Sequence, residues 1–83
     1  MKPCCYILFS NKLNKYYVGS TTDIERRFAE HNRGKEKFTK TGIPWVIVYT
    51  QIFDDIIQAR KREFFIKKMK SRKFIESLIN AAG

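Results

Sequence analysis

Arg27 and His31 stand four residues apart in the segment Asp23-Ile24-Glu25-Arg26-Arg27-Phe28-Ala29-Glu30-His31-Asn32. On a helix that spacing puts both on one face, roughly 5–6 Å apart at their Cβ atoms, with Asp23 one turn earlier on the same row. The arginine offers a fork matched to phosphate oxygens, and the histidine carries a proton near neutral pH. A surface ladder of charges fits the same row, and the chain's single histidine also fits a helix-end cap. Farther on, Ala59, Glu63 and Ile66 follow helical spacing, which stands Glu63 beside an apolar face among Arg60, Lys61, Arg62, Lys67 and Lys68. Such a carboxylate either pairs with a neighbouring cation or binds a divalent metal at a pocket edge. Magnesium suits the second use, since it often takes one or two protein carboxylates and keeps several waters. Tyr6, Tyr16 and Tyr17 fall in apolar, strand-like segments, where tyrosine is ordinary packing. A tyrosine hydroxyl lowered in pKa by nearby cations would also serve as a general base.

These groups need elements to hold them. Cys4 to Ser10 is apolar and rich in strand formers, Asn11 to Lys15 is polar enough to turn, and Tyr16 to Ser20 returns as a second strand. Gly19 in that strand marks a tight exit or a close backbone approach. Thr22 and Glu25 have the spacing of a capping box, which starts a helix at about Asp23 that runs to Arg33 and stops at Gly34. Ile24 and Phe28 form its core face. Lys35 to Pro44 is a basic loop, and Trp45 to Phe53 is the clearest strand, expected at the centre of its sheet. Asp54 or Asp55 caps a second helix reaching about Lys70. Ser71 caps a third, whose Phe74, Ile75, Leu78 and Ile79 make an apolar stripe. Ala81 to Gly83 reads as a frayed end. The order ββαβαα predicts an α+β fold, a small three-stranded antiparallel sheet flanked by helices, in one domain spanning residues 1–83.

Composition narrows the partners. Seventeen Lys and Arg against eight Asp and Glu leave a net charge of +9, which attracts polyanions. Nucleic acid is favoured over a membrane surface, because no apolar run approaches the roughly 20 residues of a bilayer span. No secretion signal or lipidation motif is visible either. Cys4 and Cys5 are adjacent, so on a strand they point to opposite faces and neither pair nor chelate together. Reduced, buried thiols in a cytoplasmic protein account for them, and no partners stand at zinc-ligand spacing.

Taken together, Tyr6 with its apolar successors, a loop, and Tyr17-Val18-Gly19 closely resemble the paired motif of the GIY-YIG nucleases. Arg27 and His31 follow at the family's first-helix spacing. Glu63, within Ala59-Arg60-Lys61-Arg62-Glu63, resembles the metal-ligand segment. The likeness runs from about Cys4 to Ile79. It is similar to that of the incision domain of the excision-repair nuclease and of the homing endonucleases. Cys4 and Cys5 replace the glycine and isoleucine of the first motif, Val18 replaces the isoleucine of the second, and Asn80 is the nearest candidate for the family's last asparagine.

The resemblance implies a metal-dependent endonuclease that hydrolyses DNA phosphodiester bonds, in DNA repair or recombination. Glu63 would bind Mg²⁺ or Mn²⁺, Tyr17 would be the general base with Tyr6 positioning the water or sharing the role, Arg27 would neutralise phosphate charge, and His31 would orient the water or a tyrosine. Lys67, Lys68, Lys70, Arg72 and Lys73, with Lys35, Lys37 and Lys40 of the loop, are candidate phosphate contacts giving salt-dependent, largely sequence-independent affinity. With no recognition module apparent, specificity would come from a protein partner or from the substrate's shape. Two rivals stand beside this reading: a non-catalytic nucleic-acid-binding module on the same fold, and an interaction domain docking on an acidic protein.

Overall fold

The computed structural model describes residues 2–82. The elements follow in the order β1 (Cys4–Ser10), β2 (Lys15–Thr21), α1 (Ile24–Asn32), a 3₁₀ turn (Lys40–Gly42), β3 (Trp45–Ile52), α2 (Ile56–Met69) and α3 (Arg72–Ala82). The three strands form one antiparallel sheet in the order β2-β1-β3. This is the α+β, ββαβαα arrangement expected from the sequence.

One placement differs. β1, not β3, is the central strand, and β3 lies at an edge. Every residue from Cys4 to Leu8 is buried, as both faces of a middle strand require, whereas Val46, Ile47 and Ile52 of β3 are exposed. A register shift between Ile7 and Leu8 lets Tyr49 and Ile47 pair with consecutive β1 residues, leaving Val48 as the extra residue of a bulge.

Alternation along β1 divides the core in two. Cys4, Tyr6 and Leu8 join Trp45 on one face, with Tyr17, Ile24, Phe28 and Ile43 packed against them. Cys5 and Ile7 join Val18 and Ile66 on the other, with Phe74, Ile75 and Leu78 of α3 against them. The adjacent thiols therefore do point to opposite faces, and both are free and buried. Burial, ahead of the Glu63 charge, pushes the Cys5 thiol up to about 12. Ile66 is the apolar anchor of α2, and burying a side chain of its size stabilises by roughly 1.5–3 kcal/mol.

The helix ends follow their caps with one correction. Asp23, not Thr22, caps α1, its Oδ1 accepting from the Arg26 N–H at 3.1 Å. The strand runs on to Thr21, whose Oγ1 accepts from the Asp23 N–H, so Thr22 falls outside the capping position and Glu25 moves into the first turn. At the other end Gly34 adopts φ +79, the left-handed stop that glycine provides without strain. Asp55 caps α2 through the Gln58 N–H, and Ser71 accepts from the Phe74 N–H at the start of α3. Helix α3 continues through Ala82; Gly83, the last residue of the expected frayed end, lies outside the described residues. The 35–44 loop is not wholly solvated, since Thr39 and Gly42 are buried within it. No helix among the described residues is long and apolar enough to cross a membrane.

Candidate active site

Tyr6 projects from the middle of β1 onto the α1 face of the sheet and is 1% exposed. Its ring lies over Gly19, its partner across the strand pair. A Cβ built on Gly19 would stand 2.5 Å from the Tyr6 hydroxyl oxygen, so the missing side chain is what lets that hydroxyl reach across the edge strand. The close approach expected at this glycine is thus an aromatic ring seated on bare backbone. A Gly19→Ala protein is expected to lose roughly 1–3 kcal/mol of stability as the ring is displaced. Thermal unfolding beside the wild type measures it, and an unchanged midpoint would mean that the ring moves aside freely.

Helix α1 crosses the same face and brings His31 to Tyr6. The Tyr6 hydroxyl and His31 Nε2 are 3.0 Å apart, and His31 Nδ1 is 2.8 Å from Thr39 Oγ1. His31 and Thr39 are both fully buried. Burial, and then the Arg27 charge, push the imidazole below the ordinary histidine range, while Glu36 and Glu30 pull the other way. Burial dominates the upward push on the Tyr6 phenol, with Tyr17 adding to it and Arg27 opposing it. Tyr17, half-buried on β2, sets its ring edge-on to His31 with centroids 5.0 Å apart, and lies 6.4 Å from the Tyr6 ring.

Arg27 shares the His31 face of α1 as its spacing requires. Its Nη1 donates to Glu30 Oε1 at 3.3 Å and its Nη2 to Glu36 Oε2 at 2.5 Å. These bonds, Glu36 first, hold the guanidinium firmly protonated. Glu30, Glu36 and the Tyr6 hydroxyl draw on its five donors, and the side chain is 26% exposed, so N–H groups remain for an incoming anion.

Glu63 reaches the edge strand from the opposite face, on α2. Its Oε1 accepts from the Ser20 hydroxyl and its Oε2 from Lys67 one turn along. Tyr6, Tyr17, Arg27 and His31 thus gather on the α1 face of the sheet, and Glu63 stands at Ser20 on the α2 face.

The sequence as a whole matches a known family. A family model described as the GIY-YIG catalytic domain matches residues 2–75. The chain belongs to the GIY-YIG family. Relatives of this GIY-YIG domain include a UPF0213 protein of Staphylococcus haemolyticus, 47% identical over 57 residues, covering 68% of this chain and 70% of that protein. A UPF0213 protein of Listeria welshimeri is 43% identical over 75 residues, covering 89% of this chain and 81% of that one. The solution NMR structure of a UPF0213 protein from Bacillus halodurans superposes with a TM-score of 0.63 at 33% identity, covering all of this chain and 87% of that one.

The basic residues fall in two groups. Lys35, Lys37 and Lys40 are exposed on the loop that also carries Glu36, the partner of Arg27. Lys67, Lys70 and Arg72 line a groove of about 430 Å³ between β2 and the α2–α3 joint, floored by Val18 and Ile66. Arg72 is tied to Asn14 and Glu76 and lies over the Tyr16 ring. Lys68 and Lys73 are exposed and stand apart from the groove lining. Asn80 borders a separate hollow with Tyr16 and Glu76. Sequence spacing gave no sign of Thr39, Glu36 or Ser20. Only the position of Ser20 directly after Gly19 in the second motif pointed toward the site.

Proposed function

We propose that this GIY-YIG domain is a metal-dependent endonuclease hydrolysing DNA phosphodiester bonds. The observation that carries the reading is the Tyr6–His31 hydrogen bond, with Arg27 one turn from His31 on the same helix. A buried phenol bonded to imidazole, an arginine with free donors, and a half-buried carboxylate are the parts that phosphoryl chemistry needs.

Among the described residues, no three His, Cys, Asp or Glu side chains cluster to hold a metal. Glu63, with the Ser20 hydroxyl against it, offers hard oxygen donors at an accessible edge. That set fits Mg²⁺ or Mn²⁺ held by one carboxylate with waters completing the shell. When bound, the cation supplies charge that stabilises the scissile phosphate and the leaving oxygen.

The remaining work falls to the chain's own side chains. Arg27 binds the phosphate through its free N–H groups and neutralises charge growing there. Tyr6 takes a proton from the attacking water while giving its own proton to His31 Nε2. That bond favours Tyr6 over Tyr17 as the base. Tyr17, half-buried beside the imidazole, then orients the water.

Lys35, Lys37 and Lys40 of the loop, and Lys67, Lys68, Lys70, Arg72 and Lys73 about the α2–α3 joint, hold DNA by its phosphates. Sequence or structure preference comes from the substrate's shape or from a protein partner. Lys70 gives a sharp test, because it sits at φ 48, where a side chain is strained. Lys70→Gly is expected to gain roughly 1 kcal/mol of stability. The same change should weaken DNA binding and reduce the salt slope by about one. Binding isotherms across a salt series measure it; unchanged affinity would remove Lys70 from the interface.

One observation favours a non-catalytic binding module instead. Both charged candidates are already paired, Arg27 with two glutamates and Glu63 with Lys67. Salt-sensitive DNA binding without cleavage, under any divalent cation, would support that alternative.

A further inference from the structure

We propose that Thr39 is a positioning residue that fixes the tautomer of His31, placing the imidazole proton on Nδ1 and keeping Nε2 free to accept from Tyr6. Two counts of donors agree on this tautomer. The Thr39 hydroxyl has one proton and, besides His31, one partner, the Glu36 carbonyl at 3.3 Å. A carbonyl only accepts, so with the threonine proton directed to it the bond to His31 comes from Nδ1–H. At the other end, Tyr6 is buried, and His31 Nε2 is the hydrogen-bond acceptor that the described residues give its hydroxyl. With the proton on Nε2, both groups would donate toward each other and the phenol proton would be stranded without a partner. Only the Nδ1–H tautomer satisfies every group, giving one directed chain from Tyr6 to His31 to Thr39 to the Glu36 carbonyl.

Its use in catalysis rests on the nuclease reading; the tautomer itself does not. As the phenol proton passes to Nε2, Tyr6 Oη accepts one proton from the attacking water, whose oxygen bonds to phosphorus as the P–O bond to the leaving oxygen breaks. That oxygen keeps the bonding pair and takes a proton from solvent. The Nδ1–H bond to Thr39 holds the resulting imidazolium in place. The charged or titratable groups facing His31 are Tyr6 and Tyr17 from the strands, Arg27 and Glu30 from its own helix, and Glu36 from the loop. Thr39 also offers its carbonyl to the Trp45 indole N–H at 2.6 Å, which anchors the loop without involving the hydroxyl. Removing the hydroxyl therefore leaves that anchor, and the Glu36 carbonyl keeps its backbone donors from Thr39 and Lys40.

The sole histidine makes the test direct: long-range ¹H–¹⁵N correlation of the imidazole nitrogens near neutral pH. The wild type is expected to show a protonated Nδ1 and an unprotonated Nε2. Thr39→Val should move the population toward Nε2–H, and Thr39→Ser should restore it. Plasmid nicking should fall roughly tenfold in Thr39→Val and recover in Thr39→Ser. An Nε2–H wild type, or an unchanged tautomer in Thr39→Val, would overturn the proposal. Should Thr39→Val fail to fold, Thr39→Ala removes the same hydroxyl and is read in the same way. Absence of nicking by the wild type would count against the nuclease reading alone, since the nitrogen spectrum stands by itself.

Discussion

A Glu63→Gln protein is expected to lose metal-dependent nicking by roughly a thousandfold while remaining folded, since a catalytic cation is worth several kcal/mol in the transition state. The structure says why the fold should survive. The Glu63 side chain is 21% exposed, and glutamine keeps an oxygen for the Ser20 hydroxyl. What it loses is the charge facing Lys67, itself half exposed, and such pairs contribute about 0.2–1 kcal/mol. Thermal unfolding should therefore shift by only a few degrees. Nicking rates across a Mg²⁺ and Mn²⁺ titration measure the effect, and a mutant as active as the wild type would remove Glu63 from any metal role.

Arg27→Ala should lower turnover roughly a hundredfold, the usual cost of losing a donor aimed at developing charge. Affinity should stay within a few-fold, because Arg27 is one cation among many flanking the site. The substitution also leaves Glu30 and Glu36 facing each other without the guanidinium between them. Part of the loss will therefore be positional, and Arg27→Lys separates the two. Lysine restores the charge but not the fork, so it should recover only a fraction of the rate. Single-turnover kinetics beside equilibrium binding distinguish these effects. A loss confined to affinity would recast Arg27 as a phosphate anchor.

The elements were legible where local chemistry decides them. The hairpin, the Asp55 and Ser71 caps, the Gly34 stop and the α3 stripe all depend on a few neighbouring residues, and the structure has each of them. Strand order was not legible, because an apolar run says that a strand is buried but not which strands lie beside it. β1 and β3 carry similar runs, and only tertiary pairing made β1 the middle one. Thr22 and Asp23 are both good caps, and the choice was made by β2 extending to Thr21. In the candidate site, helical spacing correctly put Arg27 and His31 together on α1. Their partners Glu36 and Thr39 lie in a loop with no periodicity, so nothing in the pattern tied them to the helix. Gly19 was readable as a close approach, though not as the seat of the Tyr6 ring.

The measurement with the most direct bearing on the proposed activity is nicking of supercoiled plasmid and of branched oligonucleotides by the wild-type protein, with Mg²⁺, with Mn²⁺ and with EDTA. Cleavage that requires the cation and stops with EDTA is the result expected of a one-carboxylate site built around Tyr6, His31, Arg27 and Glu63. Intact substrate under every condition, with salt-sensitive DNA binding retained, would contradict it and leave a nucleic-acid-binding module on a nuclease fold.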